Sequence, residues 1–436
     1  MSESVASTSD ERRPWARAAA WLAFLGPFFF ATYGFATWLS SERADVGAIV
    51  FDWERAIPFV PWTIVPYWAI DAIYALSLFA CANRRELDMH AKRLLTAQVI
   101  AVTMFVLFPL RFTFERPDTE GVFGWMFRLL ATFDKPYNQA PSLHIALLVV
   151  LWALIVPKTT GIGRWLAVAL FLLIGVSVLT TWQHHFIDVP TGALVGFFCV
   201  WLWPRDAPSP LARRELTSDR QRIRMAVRYS AGAVVAAAIA VAVGGPALWL
   251  FWVTAALALV AINYAFAGPA GFQKRNGSVS PAAAVLLAPY LLGAKVNAWA
   301  WTRRRPSPDH IGDNVWIGRL PSRSDIERGG FDGIVDLTCE LSMNAGGCSY
   351  SNPAVLDLTV PDRATLAAAV RAIEARKPGA KVLVCCALGY SRSAVVAAAW
   401  LNVTGRAPDA DSAIARVRAL RPEIVLTDAH RALIAT

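Results

Sequence analysis

Apolar runs long enough to cross a bilayer recur through the first two thirds of this 436-residue chain and then stop. A membrane-spanning helix needs about 20 predominantly apolar residues. Such runs fall near residues 18–38, 61–82, 94–110, 143–157, 164–182, 186–203, 229–244 and 246–267. In lipid a backbone must satisfy its own polar groups, so each run reads as a helix and the set as a polytopic all-α membrane bundle. Composition agrees: 56% of residues are hydrophobic, 18 are Trp, 23 are Phe and only 17% are charged, too apolar for an ordinary soluble enzyme. The first run is longer than a signal-peptide core and lacks a small-residue cleavage site, so it reads as a retained anchor.

Loop charges orient the bundle. Arg12, Arg13 and Arg17 precede the first run; Arg84, Arg85, Lys92 and Arg93 follow the second. Lys158 and Arg164 separate the fourth and fifth, and Arg205, Arg213, Arg214, Arg220, Arg222, Arg224 and Arg228 follow the sixth. Alternating spans put all four groups on one side, which the positive-inside rule makes cytoplasmic. The segments 111–142 and 183–187 then face outward. The net charge of +10 belongs with headgroup contact rather than nucleic acid, for which no basic helix or zinc-finger spacing is present. Residues 281–300 are only briefly apolar, contain Pro289, and lead to Lys295 and Arg303-Arg304-Arg305. They read as a re-entrant or interfacial helix rather than a ninth span, which leaves the C-terminal region cytoplasmic at a plasma (bacterial inner) membrane. The six Cys fit neither a zinc site nor a disulfide framework.

From Arg303 the pattern changes to short strand-like runs (314–317, 333–337, 355–358, 381–385) alternating with helical ones (324–328, 365–376, 393–403, 411–420). That alternation describes an α/β domain with its own core. The expected division is a bundle over 1–210, a linker with two further spans and the interfacial segment over 211–302, and the α/β domain over 303–436.

Within that domain, Lys381-Val382-Leu383-Val384-Cys385-Cys386-Ala387-Leu388-Gly389-Tyr390-Ser391-Arg392-Ser393 reads strand, loop, helix. Inward-pointing loop amides and a helix N-terminus make an anion nest, whose field favours a thiolate as well as a phosphate. Arg392 can grip two phosphate oxygens, and Ser393 can donate to a departing thiolate. These residues resemble the signature loop of the dual-specificity, protein-tyrosine-phosphatase-like family. The resemblance implies phosphomonoester hydrolysis through a phosphocysteine on Cys386, with Arg392 as clamp and Gly389, Ser391 and Ser393 around the phosphate. The family's acid role falls on Asp362 in Val360-Pro361-Asp362, with Asp357 as the alternative; without catalysis, Asp362 would cap a helix near Thr365. Gly318-Arg319-Leu320-Pro321-Ser322 resembles the family's domain start. The family's His before the nucleophile is replaced by Cys385, which weakens thiolate activation. The loop residues Ala387, Leu388, Tyr390 and Ser391 carry no charge, which argues against highly phosphorylated inositol lipids.

A second constellation lies at the ends of the membrane runs. Arg111-Phe112-Thr113-Phe114-Glu115-Arg116-Pro117 ends the third, Pro141-Ser142-Leu143-His144 opens the fourth, and His184-His185-Phe186-Ile187-Asp188 opens the sixth. This set resembles the type 2 phosphatidic acid phosphatase superfamily, in the form of its inositol-phosphotransferase branch. The resemblance implies His184 as nucleophile, Asp188 as its orienting acid, His144 as proton donor, and Arg111, Arg116 and Ser142 as phosphate holders. Pro109 and Val178 stand where the superfamily has Lys and Arg; Arg111 is the replacement for the first. His185 takes a supporting role, and Asp71 is a further candidate because charge within a span is costly.

The sequence therefore describes an integral membrane enzyme with two phosphoryl-transfer sites, acting on a phospholipid or lipid phosphate and without need of a metal or other cofactor. The competing reading is a membrane-tethered phosphoprotein phosphatase whose bundle is a non-catalytic sensor.

Overall fold

The computed structural model describes residues 13–212, 216–377 and 379–435; Arg12, Arg213 and Arg214 lie outside them. The chain forms two compact units, Met1–Ser209 and Pro210–Thr436.

The first unit is helical: α1 (Trp15–Ser41), α2 (Ile64–Phe79), α3 (Arg84–Leu107), α4 (Gly121–Leu130), α5 (Leu143–Ile155), α6 (Gly161–Thr180) and α7 (Asp188–Leu202). Its core joins Leu25 and Ala36 of α1, Ile70 of α2, Leu94 and Ala101 of α3, Val150 and Leu151 of α5, and Ile174 of α6. α5 and α7 approach closely because α7 offers glycines: a Cβ on Gly192 would stand 2.4 Å from the Ser142 carbonyl oxygen, and one on Gly196 2.7 Å from that of Ala146. That approach brings the start of α5 against the start of α7, and the Ser142 amide donates to the Asp188 carbonyl at 3.0 Å.

α3 begins at Arg84, well before the run expected near 94, because its charged first turns are paired rather than looped out. Asn83 caps it; Glu86 meets Lys158 at 2.7 Å and Arg205 at 3.2 Å; Asp88 meets Arg17 at 2.6 Å; and Arg93 donates to the Trp203 carbonyl. Members of all four basic groups thus gather at one end of this unit, as their alternation requires. The short amphipathic α4, inside the segment 111–142, escaped the apolar-run reading.

The second unit opens with α8 (Arg220–Val243) and α9 (Leu250–Ile262), packed side by side, then a hairpin of β1 (Lys274–Arg275) and β2 (Ser278–Val279). Its Asn276-Gly277 turn has both residues at positive φ, 46° and 82°, the twist that a two-residue hairpin needs. α10 (Pro281–Leu286) and α11 (Ala288–Thr302) follow. Pro289 lies in the first turn of α11, where a missing N–H costs nothing. The remainder is α/β: β3 (Asp309–Gly312), β4 (Val315–Arg319), α12 (Arg323–Gly329), β5 (Gly333–Asp336), β6 (Ser349–Ser351), α13 (Arg363–Glu374), β7 (Val382–Cys386), α14 (Arg392–Val403), α15 (Ala410–Leu420) and α16 (Asp428–Ile434). The sheet order is β3-β4-β7-β5-β6, parallel except for β3. The run 355–358 is not a strand: only Val355 bridges, to Thr338, and Leu358 turns to φ 56°.

Among the described residues six helical stretches are long and apolar enough to cross a membrane: Trp15–Ser41, Pro61–Phe79, Arg84–Leu107, Gly161–Thr180, Arg220–Val243 and Gly245–Phe272. Two of the eight expected spans, at 143–157 and 186–203, fold as the shorter apolar helices of α5 and α7.

Candidate functional site

β7 alternates its side chains between the two faces of the sheet. Val382, Val384 and Cys386 join the core with α13, α14 and α15, while Leu383 and Cys385 join Ile334, Phe331 and Met343 on the other face. The two adjacent cysteines therefore point apart, and both are free thiols. Burial, followed by the nearby Asp336 carboxylate, pushes the Cys385 thiol well above its ordinary range. Cys385 is a core residue.

Cys386 ends β7 with its sulfur at the mouth of the loop. The Gly389 amide donates to Cys386 Sγ at 3.3 Å, and Ser393 Oγ lies 3.3 Å from the same sulfur. Gly389 has φ 78°, and a Cβ there would stand 2.5 Å from the Gly318 carbonyl carbon; only glycine turns the loop so close to β4. Arg392 opens α14, a helix whose residues from Arg392 to Leu401 are all buried. Ser391 occupies the cap position of α14.

Arg392 is the hub. Its Nη1 donates to Glu340 Oε2 at 3.0 Å and to the Val355 carbonyl at 3.0 Å; its Nη2 donates to Glu340 Oε1 at 2.7 Å and lies 3.0 Å from Asp357 Oδ1. Burial raises the Glu340 carboxyl, but the Arg392 guanidinium outweighs it and holds the group below the usual range. Burial pushes the Asp357 carboxyl up, Arg392 draws it back in part, and Glu340 adds to the rise. The Asp357 side chain still exposes 41% of its surface, whereas that of Glu340 exposes 3%. Asp357 thus faces an opening while Glu340 is sealed behind the guanidinium.

Asp362 is elsewhere. Its carboxylate accepts from the Thr365 amide at 2.7 Å and caps α13 on an exposed surface. Of the two carboxylates offered by the sequence, Asp357 is the one that the fold brings to Arg392.

Two further buried cations stand near the site without a sequence signal beyond their type, and the first braces the loop. Arg421, fully buried, donates to Asp309 at 2.8 Å and to the Leu388 carbonyl at 3.4 Å, with Tyr390 over its guanidinium. Lys274, on the hairpin, reaches into the sheet to Asp336 at 2.5 Å and Thr338 Oγ1 at 2.7 Å. Helical residues of the same unit touch the segment that carries Asp357: Tyr264 Oη donates to the Asp357 carbonyl at 2.9 Å, and the Gln221 amide donates to the Leu358 carbonyl.

In the first unit, His184 Nδ1 lies 3.1 Å from Asp188 Oδ2, which also accepts the His185 amide at 3.0 Å. His144 stacks on Tyr67 with ring centroids 4.0 Å apart and contacts the Tyr67 carbonyl. His184 is within electrostatic reach of His144 and of Asp134. Arg116 lies over Phe127 and also within reach of Asp134. Asp134, which the sequence reading did not single out, accepts from Tyr33 at 2.6 Å and Tyr67 at 3.2 Å. Ser142 is buried as the cap of α5. His185 is fixed between buried Glu54, at 2.9 Å, and Thr113. Arg111 is exposed and its amide donates to the Gly47 carbonyl, one residue before Phe112, which stacks on His185. Asp71, on α2, is within electrostatic reach of Asp134 and of Tyr67.

Residues 328–435 match the family model described as dual specificity phosphatase, catalytic domain. The chain is similar to Tk-PTP in its active form (29% identity, 30% of this chain and 95% of that one, TM-score 0.28). It is also similar to human DUSP28 (23%, 30% and 92%, 0.28) and to PTPMT1 in complex with PI(5)P (22%, 29% and 92%, 0.27). No curated protein matches the chain. The C-terminal region is therefore a dual-specificity-phosphatase-like domain, whose chemistry is phosphomonoester hydrolysis.

Proposed function

We propose that this chain is an integral membrane phosphatase whose Cys386 centre hydrolyses phosphomonoesters of phospholipids. The bundle α1–α7 would carry a second phosphoryl- or headgroup-transfer site on His184. The carrying observation is that the Cys386 loop and the apolar pair α8 and α9 belong to one compact unit. A catalytic domain tied to such helices works at a lipid surface.

The Cys386 thiolate attacks phosphorus and the bond to the leaving oxygen breaks. Arg392 and the loop amides balance the charge on the equatorial oxygens. Glu340 fixes the plane of the guanidinium. A bound phosphate takes the face of Arg392 that Asp357 otherwise holds. Losing that cation favours the protonated carboxyl, so Asp357 is ready to give its proton to the leaving alkoxide. Water then attacks the phosphocysteine, Asp357 takes a proton from it, and the thiolate departs with Ser393 donating to it.

In the bundle, the His184–Asp188 contact is that of a nucleophilic imidazole held in one tautomer. His144 would protonate the leaving oxygen, and Arg116 would offset phosphate charge. Exposed Phe30, Phe35 and Trp38 on α1, and Trp165, Leu166 and Leu172 on α6, leave large apolar side chains on helices long enough to span a bilayer, and favour insertion. The basic end marks the cytoplasmic side.

The test is a panel of phospholipid phosphomonoesters and an aryl phosphate offered to Cys386→Ser, His184→Ala and their combination. Cys386→Ser is expected to abolish aryl phosphate release, while His184→Ala removes a separate lipid activity. If activity persists in the combined variant, both site assignments fail. If neither single change touches any phospholipid but Cys386→Ser abolishes phosphotyrosine release, the protein is a tethered phosphoprotein phosphatase.

A further inference from the structure

Beside the catalytic loop the second unit holds a cleft of about 400 Å³. One wall is α11, through Lys295, Ala298, Trp299 and Thr302; Arg303 follows at its end. The floor is Leu341 and Ser342, just after Glu340, and the inner end reaches Ala387, the residue after the nucleophile. Tyr390 of the same loop donates to the Trp301 carbonyl at 3.2 Å, so the end of α11 and the catalytic loop are directly joined.

Three cations line this cleft, and they differ in availability. Arg319 is committed to Asp325 at 2.8 Å and to the Pro306 and Leu320 carbonyls. Lys295 is exposed and has no acidic partner among the described residues. Arg303 is exposed and rests on the Trp299 ring, its guanidinium carbon 5.5 Å from the centroid. A cation stacked on an aromatic face keeps its N–H groups open to an anion. The neighbouring row of α11, Leu292, Val296 and Trp299, is exposed and apolar at helical spacing. The helix thus presents an apolar row for acyl chains beside two cations, Lys295 on the helix and Arg303 just past its end, in the cleft that reaches Ala387 of the catalytic loop.

We propose that this cleft is a second anion site, in which Lys295 and Arg303 bind the phosphodiester of a membrane phospholipid whose terminal phosphomonoester occupies the Cys386 loop. The proposal rests on the phospholipid reading above and narrows it to lipids carrying two phosphates in series, a diester next to the glycerol and a monoester at the tip. The uncharged loop residues Ala387, Leu388, Tyr390 and Ser391 fit this arrangement, because the second charge is met outside the loop.

The experiment uses the full-length protein carrying His184→Ala, so that only the Cys386 centre reports. Substrates are a diester-linked headgroup phosphomonoester in phosphatidylcholine vesicles, phosphatidic acid in the same vesicles, the free headgroup bisphosphate in solution, and p-nitrophenyl phosphate. Lys295→Ala and Arg303→Ala are each expected to lower kcat/KM about tenfold for the diester-linked lipid, the worth of one charge-assisted hydrogen bond. The loss should fall on KM, and p-nitrophenyl phosphate hydrolysis should be unchanged. An equal loss on the free bisphosphate keeps the anion site but removes the apolar row from it. Equal losses on all four substrates, or none on the diester-linked lipid, overturn the proposal. If the unsubstituted cleft residues support p-nitrophenyl phosphate turnover but no phospholipid turnover at all, the phospholipid reading itself falls, and this site with it.

Discussion

The two candidate centres are built in opposite ways. The Cys386 centre is built around one contiguous turn of chain, strand to loop to helix, with Cys386 and Arg392 seven residues apart inclusive and a sealed carboxylate from another segment, Glu340, behind the cation. The His184 centre is assembled from the ends of separate helices, and its members meet only because Gly192 and Gly196 let α7 lie against α5. The first centre depends on local geometry and charge balance; the second depends on helix packing. Each construction has its own way of failing, and that difference can be attacked directly.

The largest expected effect is on chemistry. Asp357→Asn should reduce kcat for an alkyl phosphate by about 10²- to 10⁴-fold, the range of a general acid. The high-pH fall in rate should vanish with it. Burial raises the Asp357 carboxyl, so if Asp357 is the proton donor it stays protonated to higher pH than an ordinary aspartate would, and the rate should fall as pH rises through that value. A pH–rate profile that keeps its basic limb in Asp357→Asn would remove the role.

Charge balance is next. Glu340→Gln leaves Arg392 buried with a weakened counter-charge, and breaking one half of a buried pair costs about 3–5 kcal/mol. Chemical denaturation of the whole chain should show that loss. The Glu340 carboxyl is held below its ordinary range, so its stabilising contribution is present above the unfolded carboxyl pKa and is lost as pH falls through the folded value. The glutamine variant should therefore differ most from the parent near neutral pH and converge with it in acid.

Packing governs the other centre. Gly192→Ala must push α7 from the Ser142 carbonyl, and should reduce any His184-dependent lipid turnover while leaving Cys386-dependent aryl phosphate hydrolysis untouched. Loss of both activities would join what this comparison separates. The smallest effect is reserved for Asp362→Ala, which removes a helix cap worth about 1 kcal/mol and should leave kcat within about twofold of the parent, since general-acid losses are far larger.

The same contrast explains what could be read beforehand. The span from Lys381 to Ser393 was legible to the residue, because strand alternation, a positive-φ glycine and a helix start each leave local marks. The acid was not settled, because Asp357 and Asp362 both stand in reasonable local settings. The fold brings Asp357, not Asp362, to Arg392, where the left-handed turn at Leu358 ends the extended run. Glu340 left no mark: it sits in an irregular segment, and its partner is 52 residues away. The start of α3 was misjudged because Arg84–Arg93 look like a solvated loop, when Lys158, Arg17 and the Trp203 carbonyl are waiting to pair with them.

The Lys274–Asp336 pair sets a limit on how this molecule can be divided. The change in composition at Arg303 invites a cut there, and the resulting fragment would hold Cys386, Arg392 and Asp357. It would also hold Asp336 with the ammonium gone, a buried carboxylate left facing Tyr350 and Thr338 with no neutralising charge. A fragment that keeps this pair must start before the Asn276-Gly277 turn. A gene fusion, a protease or an expression strategy that respects only the hydropathy profile will separate an enzyme from part of its own interior.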